Sequence, residues 1–253
     1  MKIVVGVIIF LYGLVFGSFY NVVGYRVPKK ISLVNPGSFC PNCHHKLKWY
    51  ELVPLFSFIF QGGKCTNCKK KISLFYPIIE SLTGILFLVS YLNFGITPNF
   101  FISLIISSFL VIVIVSDGRY MIIPDEVTLF FSVLLVVINL CTLPLEISLK
   151  NLLSGIIMVA LMYLFMLICN FVFKKESLGG GDIKLMFFIG NAIGFYNSLF
   201  AIFVASVIAL PVSLIYLKLK KSNVFPFGPF LLGGTLIVFL MGIDIIKVLT
   251  TIY

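Results

Sequence analysis

The chain has 253 residues, of which 60% are hydrophobic and only 11% charged, and its mean hydropathy is +1.13. That much apolar surface cannot be hidden in a water-soluble core, so a soluble globular domain is excluded and a lipid bilayer is the expected surrounding. The formal net charge of +10 is gathered in alternate loops, not spread along one polar face, so no nucleic-acid partner is expected.

The apolar residues come in runs of roughly 17 to 25, the length one helix needs to cross a hydrocarbon core about 30 Å thick. Eight spans are read, at 3–25, 77–94, 99–116, 127–145, 151–173, 183–195, 198–217 and 229–250. The fold class expected is therefore an all-α polytopic membrane protein. The first segment has no small-residue cleavage site and reads as a retained helix. The sixth is short, opens just after a glycine cluster and ends at Gly194, which suits a tilted or half-buried segment. Three parts follow: a first helix (1–25), a polar loop (26–76) and a transmembrane core (77–253).

Arg26, Lys29, Lys30, Lys46, Lys48, Lys64, Lys69, Lys70 and Lys71 lie in the long loop, and Arg119, Lys174, Lys175, Lys218, Lys220 and Lys221 in alternate loops after it. The other side keeps Lys2, Lys150 and Lys247. The positive-inside rule then puts the amino terminus outside and the loops 26–76, 117–126, 174–182 and 218–228 in the cytoplasm of a multi-pass protein of the cell membrane.

The long loop carries Cys40-Pro-Asn-Cys43 and Cys65-Thr-Asn-Cys68, separated by 21 residues. Each pair can set two thiolates on one turn, and two turns make the closed four-thiolate set of a structural zinc ion. Two disulfides or redox pairs are the alternative, although a cytoplasmic loop lies in a reducing compartment. His44 and His45 stand beside the second cysteine as rival ligands, whereas Cys141 and Cys169 fall within spans and read as packing residues. The run Leu52-Val-Pro-Leu-Phe-Ser-Phe-Ile-Phe60 is too short to span. It is expected to pack on the knuckles or to lie at the membrane interface, with Trp49 and Tyr50 as amphipathic neighbours.

There are nine acidic residues in all, and a carboxylate near a membrane span is costly enough to ask for a reason. Asp117 follows the apolar run Phe109–Val115, and Asp182 closes Gly179-Gly-Gly-Asp182. Two carboxylates brought together in a low-dielectric site share a proton, and such a pair can activate water and protonate a peptide carbonyl without metal or covalent intermediate. The plainer readings are an interfacial Asp117 beside Arg119 and a helix N-cap at Asp182, with Asp125 of Pro124-Asp125 as another cap and Asp244 a packing residue.

Six blocks occur in order along nearly the whole chain: Gly17–Arg26, the four cysteines, Ile72–Glu80, Asp117–Asp125, Gly179–Leu185 and Pro226–Phe230. With these the sequence resembles the type IV prepilin peptidases, prepilin leader peptidases and N-methyltransferases of the GxGD class of intramembrane aspartic proteases. The resemblance implies that Asp117 and Asp182 are the catalytic pair, supported by Asp125, Gly179, Gly181, Lys184 and Glu80. It also implies cleavage of the short basic leader of prepilins, or of competence or type II secretion pseudopilins, followed by methylation of the new amino terminus from S-adenosylmethionine. The chain departs from the family pattern at Gln61 and Phe75, where a basic residue is common. A basic leader beside basic loops would need local acids, and Glu51, Glu80, Asp125, Glu126 and Glu176 are the candidates on that face.

Two other classes compete. An ion- or proton-coupled transporter could use buried Asp117, Asp182 and Asp244, but no matching sequence halves occur. A membrane scaffold with a zinc docking loop leaves Gly179-Gly-Gly-Asp182 without a purpose.

Overall fold

The computed structural model describes residues 2–174, 179–220 and 225–243. Glu176, Asp244, Lys175, Lys221 and the end of the eighth expected span lie outside them. Among the described residues the secondary structure is helical apart from two isolated bridges in the polar loop. The chain divides into two compact units, Met1–Gly95 and Ile96–Tyr253.

In the first unit, α1 (Lys2–Arg26) and α3 (Phe75–Phe94) pack together and enclose the polar loop between their ends. Gly13 and Gly17 explain how closely they approach. A Cβ on Gly13 would lie 2.7 Å from Cα of Gly84, and one on Gly17 would lie 2.8 Å from Cα of Glu80. Backbone touches backbone here, as small residues four apart allow in membrane helices. Arg26 ends α1 by turning its guanidinium onto the carbonyls of Ser32 and Pro36, at 2.9 and 2.7 Å. The loop holds a short turn at Trp49–Leu52 and a five-residue helix, α2 (Phe56–Phe60).

The second unit is built around α4 (Pro98–Tyr120), whose apolar stretch is 78% buried. It is surrounded by α5 (Asp125–Thr142), α6 (Leu145–Phe173), α7 (Gly180–Ile193), α8 (Phe195–Lys220) and α9 (Gly228–Met241). Helices α6 and α8 instead present most of their apolar side chains outward, as lipid-facing helices do. The fourth expected span ends earlier than its hydropathy suggests, because Leu143 precedes Pro144 and cannot keep helical geometry. Pro144 then starts α6.

Six described helices are long and apolar enough to cross a membrane. Helix α7, the short sixth segment, is not among them. At 1.5 Å per residue its 14 residues reach about 21 Å, against a core about 30 Å thick. It is an internal helix: Leu185, Met186, Phe188 and Ile189 are fully buried. Gly190 lies against α6, where a Cβ would come within 2.7 Å of Cα of Gly155. Buried Asn139 of α5 donates to the Asn191 carbonyl at 3.0 Å, fixing the far end of α7.

Candidate active site and metal centre

Asp117 sits in the last turn of α4 and is 6% exposed. The helix closes just after it, with Met121 at φ 54° donating its N–H to the Asp117 carbonyl at 2.9 Å. Ile123 precedes Pro124 and is held out of the helix, so the chain turns and Ile123 is sent back toward the helix ends. The first residue of α9 meets the carboxylate: the Gly228 N–H donates to Asp117 Oδ2 at 3.2 Å, and a helix N-terminus favours an anion at that place. Any side chain there would crowd the carboxylate. A Cβ on Gly228 would stand 2.8 Å from Ile123 Cδ1 and 3.1 Å from Asp117 Oδ2.

Asp182 lies in the first turn of α7, where Gly179 is the N-cap. The expectation of Asp182 as an N-cap is thus replaced: its own N–H bonds the Gly179 carbonyl at 3.1 Å, and its Oδ1 is buried without a protein partner. Gly181 rests on the other side of Ile123, with a Cβ position 3.1 Å from Ile123 Cβ. Ile123 therefore touches the glycine before Asp182 and the glycine bonded to Asp117, and the two carboxylates are near enough to act on each other electrostatically. Asp125 is also no cap. Pro124 takes that position, and Asp125 on the first turn of α5 accepts from Lys184 Nζ of α7 at 2.6 Å. Both side chains are more than half exposed, so this pair fixes register more than it stabilises. Sequence reasoning did not single out Ile123, and it met Gly228 only as part of a block. The signal for both was the Pro after each, which sets where the helices can begin.

The polar loop of the first unit gathers Cys40, Cys43, Cys65 and Cys68, whose sulfurs all lie within 4.8 Å of one another. The two knuckles are alike: Cys40 N–H donates to the His45 carbonyl at 3.0 Å and Cys65 N–H to Lys70 at 2.9 Å, while His44 and Lys69 both take positive φ. A tetrahedral ion with bonds of about 2.3 Å sets its sulfurs about 3.8 Å apart. Cys40 to Cys68 is 3.8 Å and Cys43 to Cys65 is 3.9 Å, so the thiols fit such an ion, each close pair taking one sulfur from each knuckle. His44 stacks on Phe39, and His45 Nε2 lies 3.4 Å from Glu51; neither joins the cluster. Glu51 is buried and joins the knuckles, accepting from Lys48 N–H at 2.8 Å and from the Thr66 hydroxyl. These bonds, that from the Lys48 amide first, hold its carboxyl below the usual range.

Glu80 is turned inward. It is 7% exposed, and Oε2 accepts the Leu55 N–H at 2.8 Å, tying the loop to α3. Of the acids expected to meet a basic leader, Glu51 and Glu80 are thus turned inward, and Glu126 is exposed.

Residues 11–94 match the family model described as the Bacterial Peptidase A24 N-terminal domain, and residues 104–214 match that of the Type IV leader peptidase family. The prepilin leader peptidase/N-methyltransferase of Bacillus subtilis is 34% identical, over 95% of this chain and 96% of its own. The chain belongs to the type IV leader peptidase family. The protein of the same name from Neisseria gonorrhoeae is 30% identical over 90% of this chain and 87% of its own. The type 4 prepilin-like proteins leader peptide-processing enzyme of Escherichia coli is 30% identical over 91% and 92%. No solved structure matches. Family membership sets the transporter and scaffold readings aside, and with the apolar helices it makes the chain a multi-pass membrane protein.

Proposed function

We propose that this chain is a prepilin leader peptidase and N-methyltransferase in which Asp117 and Asp182 form the acid–base pair. The observation that carries the reading is the meeting of the last turn of α4 and the first turn of α7 around Ile123, with one acidic side chain from each. One carboxylate takes a proton from water as it attacks the scissile carbonyl, and its protonated partner donates to the carbonyl oxygen. Asp117 has one oxygen held by the Gly228 amide and so keeps its place, while Asp182 has an oxygen left for water or substrate. Gly179 and Gly181 leave room for a substrate backbone, and Lys184 with Asp125 keeps α7 in register with α5.

The apolar helix of a prepilin or pseudopilin partitions into the bilayer, which sets its scissile bond near the interface. The charge distribution along the sequence supports an amino terminus outside, with the loop and the aspartates on the cytoplasmic side. The four cysteines are proposed to hold one structural zinc ion, closed to chemistry. S-adenosylmethionine is the methyl donor implied by the relatives' name. No GxGxxG fingerprint occurs in the sequence, so no residues are assigned to the donor.

The test is cleavage of a prepilin-like substrate in membranes. Asp117→Asn and Asp182→Asn are each expected to abolish processing while the protein still inserts, and Asp125→Asn to lower it less. Full activity of either of the first two variants would sink the assignment.

A further inference from the structure

The polar loop carries more exposed apolar surface than a water-facing segment tolerates. Phe60 is 86% exposed, Trp49 80% and Ile59 62%, with Tyr50 and Phe56 beside them. They lie within twelve residues, on the turn Trp49–Leu52 and the short α2. The zinc knuckles do not cover them.

Where this segment sits is fixed by one bond. The Leu55 N–H donates to Glu80, five residues beyond the first residue of α3. At 1.5 Å per residue this is about 7 Å along α3, a helix long and apolar enough to span, so the segment lies beside the first turns of α3. Leu74, Tyr76 and Ile78 of the same stretch are exposed too and continue the apolar surface toward it. Both ends of the loop leave from spans, α1 and α3. Charge then selects the surroundings. Residues 27–74 hold eight lysines and one carboxylate, Glu51, which is buried and internally bonded. The loop stays positive even when four thiolates hold a divalent ion.

We propose that Trp49–Phe60 is an interfacial anchor, with Phe56, Ile59 and Phe60 in the upper acyl region of the chain's own bilayer and the loop lysines on anionic headgroups. Amphipathic aromatic rings with flanking lysines favour this depth. Lysines held near an anionic surface are attracted to it.

Trp49 is the only tryptophan in the chain and reports directly on the proposal. The full chain, one copy per nanodisc, is compared in phosphatidylcholine alone and with added phosphatidylglycerol, using lipids brominated high or low on the acyl chain and aqueous iodide. The expected result is quenching stronger from the high bromines than from the low ones, and shielding from iodide. Bromine quenching should rise roughly twofold with the anionic lipid, as the lysine attraction requires. Phe60→Asp should reduce it. Since that variant could misfold, the wild-type quenching decides by itself. Free access of iodide to Trp49 without bromine quenching overturns the proposal, as does quenching indifferent to lipid charge. So does shielding that appears only with several copies per disc, or only on adding a peptide with a prepilin-like apolar helix. None of these readings depends on cleavage activity.

Discussion

Gly228 shows how little room the carboxylate site has. A single methyl group there would stand 3.1 Å from Asp117 Oδ2, in the last turn of α4, and 2.8 Å from Ile123 Cδ1. Gly228→Ala is therefore expected to displace Asp117 or Ile123, and a displacement of about 1 Å in a reacting group costs on the order of 100-fold in rate. Gly118, next to Asp117 in sequence, has open space around it. Gly118→Ala should keep activity near wild type. Cleavage assays on the two variants at equal membrane abundance test this, and equal loss in both would mean that helix geometry matters here and packing does not. The four-cysteine cluster was legible from its spacing, whereas scarcity only drew attention to Asp117 and Asp182, and their proposed role came from the family resemblance. Ile123 was not legible, because its importance comes from touching two glycines far along the chain, Gly181 and Gly228.

Among the elements, the tie between the loop and α3 separates two accounts of Glu80. If its charge attracts a basic leader, Glu80→Gln should weaken processing. If its oxygen holds the Leu55 amide, the glutamine can still accept and should be tolerated, while Glu80→Leu strands a buried N–H at a cost of about 1–3 kcal/mol. We expect the second pattern, read from the thermal stability of the purified variants and from Trp49 emission. Sequence gave the opposite emphasis because an acid inside a span signals function as readily as structure, and only the partner tells them apart. Most helix starts and ends were read within about four residues, but α6 begins at Leu145 where 151 was expected, and α9 closes at Met241 with Gly242 as its C-cap where the span was expected to run on to 250. The early stop at Thr142 came from Pro144, which hydropathy does not register.

For the whole molecule, the four clustered cysteines belong to the unit Met1–Gly95 and both aspartates to the unit Ile96–Tyr253. Purified protein should carry about one zinc per chain, and Cys40→Ser with Cys65→Ser should lose it. Because each close sulfur pair joins the two knuckles, metal loss should loosen the whole loop and expose it to protease, while α4 to α9 keep their helical signal. Protease mapping with and without chelator checks this, and unchanged zinc in the double variant would show that the ligands are others.

The burial of α7 also bears on how the protein is made. A segment of 14 residues carrying Asp182, Lys184 and Asn191 is a poor client for the insertion machinery, which selects helices by length and apolarity as they emerge. It has to be accepted together with α6, whose Gly155 receives Gly190, and kept in place once α8 follows. Reporter fusions placed after residue 195 should therefore give mixed orientations, and fusions after residue 220 a single one. A single orientation at both points would mean that α7 enters unaided. The acid that the proposed chemistry needs would thus be delivered to the membrane by its neighbours during synthesis, not by its own affinity for lipid.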